Sequence, residues 1–170
     1  IVMAPVCTPL IGSLSHLNRV HNHSAWLRSR RTAVPLAQLC ASVALHQLRH
    51  GRHFINEQPK PSSMYEVQPW PQVFQHPSVV MVTFDQCMTG LTAPDGQLAR
   101  KRTQLVSSAP ELLSAFQDLL CDGSHRHADL KNGLAGPCQV WSWNFAQRIV
   151  TGIQRLKRRL NGRTRASLIS

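Results

Sequence analysis

The run Ser78-Val79-Val80-Met81-Val82-Thr83-Phe84 constrains this chain more than any other segment. Its β-branched, largely apolar residues specify a strand, and the lack of polar alternation specifies a strand covered on both faces. The rest of the sequence can supply that cover. Ile1-Val2-Met3-Ala4 is a second apolar run, stopped by Pro5, and His53-Phe54-Ile55-Asn56 is a third, leading into a Pro-bounded loop, Glu57-Gln58-Pro59. Between them Leu36, Leu39, Cys40, Val43 and Leu48 keep helical spacing over residues 32–50, with Pro35 fitting a first turn and Gly51 as the stop. The preceding stretch, through Asn18 and His21-Asn22-His23, reads as a polar surface loop. An aromatic patch follows at Tyr65, Trp70 and Phe74.

Beyond the long strand, Asp95-Gly96 marks a turn and Thr103-Gln104-Leu105-Val106 a returning strand. Ser108-Ala109-Pro110-Glu111 has the form of a capping box, ahead of a helix with Leu112, Leu113, Phe116, Leu119 and Leu120 on one face. A last helix over residues 143–160 carries Ala146, Ile149, Ile153, Leu156 and Leu160 at alternating spacings of 3 and 4, with Asn161-Gly162 as its stop. Strand–helix alternation closing with a hairpin is the pattern of an α/β fold. In such sheets ligands gather at the C-terminal ends of the strands, where both Pro-bounded loops fall.

A chain of 170 residues with 42% hydrophobic and 16% charged residues buries a core and is no disordered tail. Its longest uninterrupted apolar stretches, four residues each as in Val79 to Val82, cannot cross a bilayer. The net charge of +11 is unevenly distributed. Residues 1–56 hold six arginines and no acid, residues 57–147 hold six bases and eight acids, and residues 148–170 hold seven bases and no acid. Such a surplus points to a polyanionic partner. The five cysteines, at 7, 40, 87, 121 and 138, are odd in number and scattered, unlike a disulfide framework. The expected location is therefore a reducing intracellular compartment, cytoplasm or nucleus.

Four segments in order carry a resemblance. They are Pro5-Val6-Cys7-Thr8-Pro9 through Leu17-Asn18-Arg19, Phe54 to Ser62, Asp85 to Leu91, and Cys121 to Ala128. Together they resemble the DNA cytosine-5 methyltransferase-like segments of copia-like retroelement polyproteins of protists, over residues 1–160. The Pro-x-Cys loop, the Glu-x-Pro loop and Gly90…Gln97-Leu98-Ala99-Arg100-Lys101-Arg102 are similar to the catalytic core of those methyltransferases. The resemblance implies an incomplete Rossmann-like methyltransferase sheet lacking its N-terminal, cofactor-binding strands; beyond it, residues 161–170 read from their composition as a basic disordered tail. It makes Cys7 the nucleophile that adds to carbon 6 of cytosine, Glu57 the carboxyl on the ring nitrogen, and Arg100 or Arg102 the contact to the ring carbonyl. The base would be flipped out of its duplex to reach them. Val6 and Gln58 depart from that pattern, and no Gly-rich strand–loop–helix for S-adenosylmethionine is present. The expectation is a piece of a longer polyprotein whose cofactor half precedes Ile1, inactive as a methyltransferase by itself.

Cys121-Asp122-Gly123-Ser124-His125-Arg126-His127 is the other chemical feature. Zinc takes four sulfur or nitrogen donors in a tetrahedron, and Cys121, His125 and His127 offer three. Cys87, after the long strand, is the fourth, with Cys138 as a substitute; solvated histidines on an Asp-Gly-Ser turn are the alternative. Arg148, Arg155, Lys157, Arg158 and Arg159 lie on the last helix, with Arg163 and Arg165 beyond, as a phosphate-binding patch for nucleic acid. A membrane-surface or calmodulin-like partner is the rival for that helix. Three functional readings therefore stand: an enzyme-derived fragment, a nucleic-acid-associating module with structural zinc and no catalysis, and an orphan fragment without independent function.

Overall fold

The computed structural model describes the backbone of residues 1–130 and 135–167, and the side chains of these except 12–14 and 163–167. It is a mixed α/β protein. Strands β1 (Val2–Met3), β2 (Ile55–Pro59), β3 (Val80–Asp85) and β4 (Arg102–Ser107) form one open sheet in the order β1-β2-β4-β3. β1 and β2 run parallel, with Met3 opposite Asn56, and β2 and β4 run antiparallel, with Glu57 opposite Leu105. The chain clusters into two compact units, Ile1–Met81 with Thr103–Ser108, and Val82–Arg102 with Ala109–Ser170.

In the first unit the connection from β1 to β2 is helical, as a parallel pair requires. Helices α1 (Gly12–His21) and α2 (His23–Arg49) replace the expected surface loop and shorter helix. Only Asn22 separates them, and its side chain accepts a hydrogen bond from the Ala25 amide at 3.0 Å. The expected first-turn position of Pro35 is therefore corrected: it lies well inside α2. Ala33, Ala37, Ala41 and Ala44 form the buried stripe of α2, and their small side chains admit large neighbours. Phe54, Met64, Trp70 and Val73 fill that space, and the Trp70 indole donates to the Ala37 carbonyl at 3.0 Å. Tyr65, Trp70 and Phe74 of the aromatic patch do gather, with Tyr65 edge-on to both partners. Trp70 and Phe74 lie in the short helix α3 (Trp70–Phe74).

Two strand expectations are also corrected. Glu57-Gln58-Pro59 is no loop but the second half of β2, where the antiparallel partner β4 extends the pairing as far as Pro59 opposite Thr103. A proline is tolerated there because it ends the strand. Second, β3 is not covered on both faces: Val80 is 37% and Met81 46% exposed, and burial is complete only at Phe84 and Asp85. Its place at one end of the sheet order gives it a single neighbour.

In the second unit, α4 (Pro110–Leu113) is one turn long and starts after Ala109 with no side-chain cap, so the expected Ser108 capping box does not form. The Ser108 hydroxyl is instead within 3.2 Å of the His53 ring. Leu112, Leu113 and Phe116 are buried as expected, whereas Leu120 is exposed. Helix α5 (Trp143–Ser167) continues past Asn161-Gly162, where the sequence pattern sets a stop. The remainder of the expected tail, residues 168–170, lies outside the described residues. The buried face of α5 is Phe145, Ile149, Gly152 and Leu156, set beside the predicted stripe. Gly152 explains the offset. A Cβ there would stand 2.9 Å from the Leu112 Cα and 3.0 Å from its carbonyl oxygen, so the bare backbone is the contact with α4. Phe84, Phe116 and Phe145 close the core with ring centroids 4.9–5.6 Å apart.

Candidate metal centre

Cys87, Cys121, His125 and His127 converge within the second unit. β3 ends at Asp85, and a single 3-10 turn, Gln86–Thr89, carries Cys87. Gly90 ends that turn with φ of +76°, a backbone region that side chains with a Cβ disfavour. Cys121 opens the second ligand segment. Gly123, at φ +82°, turns the chain, its amide donating to the Cys121 sulfur at 3.4 Å, and Ser124 N donates to Asp122 at 2.9 Å. The Ala128 amide, donating to the Leu98 carbonyl at 2.9 Å, anchors the far end.

One ligand atom from each of the four residues lies within 4.8 Å of the others. The Cys121 sulfur is 3.6 Å from His125 Nε2 and 3.4 Å from His127 Nε2. Tetrahedral zinc with bonds of about 2.3 Å to sulfur and about 2.05 Å to nitrogen requires sulfur–nitrogen separations of about 3.6 Å. The two cysteines are buried and the two histidines half-buried. The residues present thus fit a Cys2His2 metal site in donor type, number and spacing.

The electrostatics fit as well. The Cys87 thiol is pushed up to about 11, by burial first and then by its hydrogen bond to Cys121 and the charge it would share with that neighbour. A cation held among these sulfurs would remove that penalty by taking them as thiolates. Next to them Asp85 is buried, yet burial does not neutralise it. Burial alone pushes its carboxyl up; hydrogen bonds from Arg102 and the Cys121 amide, with the charges of Arg102 and Arg100, hold it below its ordinary value. Arg102 binds it through Nε at 3.0 Å and Nη2 at 2.9 Å, Arg100 approaches at 3.5 Å, and the Cys121 amide donates at 3.0 Å.

Arg100 and Arg102 are therefore bound to Asp85 in the second unit, where the resemblance gives them a ring carbonyl. Cys7 and Glu57 lie in the first unit. Cys7 is half-buried at the start of the turn Thr8–Leu10, and Glu57 is buried in β2. The Gln58 side chain donates to the Pro5 carbonyl at 3.2 Å and Asn56 to the Met3 carbonyl at 3.4 Å, so the Cys7 loop is tied alongside the strand bearing Glu57. Cys138, the substitute ligand, packs instead with Leu91, Ala93, Ala99 and Ala128.

The basic helix is only partly open. Arg148 donates to the Ala115 carbonyl, Arg155 to the Ser114 hydroxyl at 2.7 Å, and Arg159 pairs with Glu111 at 2.7 Å. These bonds fasten α5 to the segment 111–115. Lys157 and Arg158 are exposed, while the side chains of Arg163 and Arg165 lie outside the described residues. Sequence reasoning gave Asp85 no role. The signal for it was a lone acid at a strand end, two residues before a ligand cysteine, with the arginine pair across the following hairpin. No family model, curated protein or solved structure matches the chain. No helix among the described residues is long and apolar enough to cross a membrane.

Proposed function

We propose that this chain is a nucleic-acid-associating module stapled by structural zinc at Cys87, Cys121, His125 and His127. The four-donor cluster carries the reading. Four protein ligands complete a tetrahedron and leave no position for a substrate or an activated water, which is the arrangement of structural rather than catalytic zinc. The metal would join a turn after β3 to a loop 34 residues further on, from Cys87 to Cys121. Purified protein is expected to contain one zinc per chain. Cys87→Ala should abolish that stoichiometry and Cys138→Ala should retain it; equal metal contents in the two variants would refute the ligand set. Nucleic-acid association rests on the exposed Lys157 and Arg158, with a salt slope of about −0.9 for each phosphate neutralised. Affinity that stays flat between low and moderate salt would exclude it.

A second reading, a methyltransferase-like scaffold from a retroelement polyprotein, is favoured by the first unit. Its parallel β1 and β2 are joined by a helical crossover, with Cys7 just beyond β1 and Glu57 buried on β2. That is the order expected of a Rossmann-like sheet with a Pro-x-Cys loop and a carboxyl on the next strand. The departures at Val6 and Gln58 weigh against turnover. Retention of labelled S-adenosylmethionine by the chain would support methyl transfer, and lack of retention would retire it for this chain.

A further inference from the structure

We propose that Asp85 is a positioning residue for the metal centre, fixing the Cys121 backbone through one carboxylate oxygen while Arg102 fixes the carboxylate. This inference rests on the metal reading above. Asp85 is fully buried, and each donor around it has a distinct place in the site. The Cys121 amide belongs to a ligand residue, so its 3.0 Å bond to Oδ2 sets where that ligand's Cα sits. The Asp85 amide donates to the Leu119 carbonyl at 3.0 Å, tying the same two segments a second time. Two residues further on, the turn from Asp85 delivers Cys87, the other sulfur ligand.

A single carboxylate thus sits at the root of both thiol-bearing segments. Arg102 holds it in a two-point fork, which prevents rotation of the carboxylate plane, and Arg100 adds a third donor. The bulk of each arginine stays partly in solvent, at 42% and 45% side-chain exposure, so the fork reaches the buried acid without a full desolvation penalty. Asparagine in place of Asp85 has one acceptor oxygen. That oxygen can still accept the Cys121 amide and one Arg102 N–H, but the NH2 group opposes the second arginine donor, so the fork that fixes the carboxylate plane is lost.

The test is titration of the full chain with cobalt(II), whose visible absorption reports the geometry of a sulfur–nitrogen site. Asp85→Asn is expected to weaken cobalt binding about 10- to 100-fold and to alter the band shape, the range seen when outer-shell partners of metal ligands are removed. Arg102→Lys, which keeps the charge and loses the fork, is expected to weaken it severalfold. Gly152→Ala serves as the stability control, since it strains the α4–α5 contact and touches none of these groups. It should lose melting temperature while keeping wild-type cobalt affinity and spectrum. If Asp85→Asn and Arg102→Lys behave like that control, the positioning role is refuted. Should Asp85→Asn fail to fold, unchanged affinity in Arg102→Lys refutes it. A wild-type chain with no tetrahedral cobalt spectrum overturns the metal reading itself, and this inference with it.

Discussion

Replacing Gly152 by alanine tests the packing of the second unit on a single carbon atom. The added Cβ would meet the Leu112 Cα at 2.9 Å, the Leu112 carbonyl oxygen at 3.0 Å and the Glu111 carbonyl oxygen at 3.1 Å. All three are backbone atoms, so no rotamer change relieves them, and α5 must shift away from α4 by a few tenths of an ångström. Overpacking of this kind costs about 1–3 kcal/mol. Alanine in a helix interior recovers up to about 1 kcal/mol relative to glycine. The net expectation is a loss of up to about 2 kcal/mol, which in a chain of this size lowers the melting temperature by up to about 8 °C. Gly162→Ala is the matched control, because the same helix offers nothing within 4 Å of a Cβ there. It should gain up to about 1 kcal/mol. Urea unfolding of both variants measures the difference. A Gly152→Ala protein as stable as Gly162→Ala would refute the close approach of the two helices.

The two neighbouring arginines near the end of α5 should separate stability from binding. Arg159→Ala loses the half-buried pair with Glu111 and should cost up to about 1 kcal/mol in urea unfolding, whereas Arg158→Ala should leave stability unchanged and lower affinity for nucleic acid. In the first unit, the Tyr65 phenol is held well above its ordinary value by burial first, and then by the charges of Glu57 and Cys40. The folded state therefore holds that proton more tightly than the unfolded state. Its contribution is complete below about pH 10 and is lost as pH rises toward the folded value. Tyr65→Phe should be less stable at neutral pH by about 0.5–1.5 kcal/mol, having lost the 2.8 Å bond to Asn56, and its gap to wild type should narrow above about pH 10. A gap that stays constant from pH 7 to 11 would contradict this.

Much of the fold is legible where a local residue type enforces it. Gly96, at φ +80°, turns the chain after Asp95, whose carboxylate accepts the Gln97 amide at 3.0 Å, as the Asp-Gly pair predicts. The gathering of Cys87, Cys121, His125 and His127 was legible too, because Cys and His at short spacing have few other uses in common. Helix boundaries failed where the determinant was a cap. Asn22 is at once the end of α1 and the cap of α2, and a single asparagine among histidines looks like loop. The strand character of Glu57-Gln58-Pro59 was hidden because it depends on β4, more than 40 residues away, as its pairing partner. The partner of Arg100 and Arg102 was hidden for the same reason: Asp85 is close in space and 15 to 17 residues distant in sequence.

Three consecutive residues of β2, Asn56, Glu57 and Gln58, are polar and buried, in the middle of a sheet. Hydrophobic alternation therefore cannot tell this strand which face is which. Its register is specified by particular bonds instead: Asn56 to Met3 and Tyr65, and Gln58 to Pro5 and Ser62. A slip of one residue would strand these groups away from water with their partners out of reach, at about 1–3 kcal/mol for each. The strand thus proofreads its own pairing, and a misaligned sheet is rejected by unmet hydrogen bonds rather than by exposed oil.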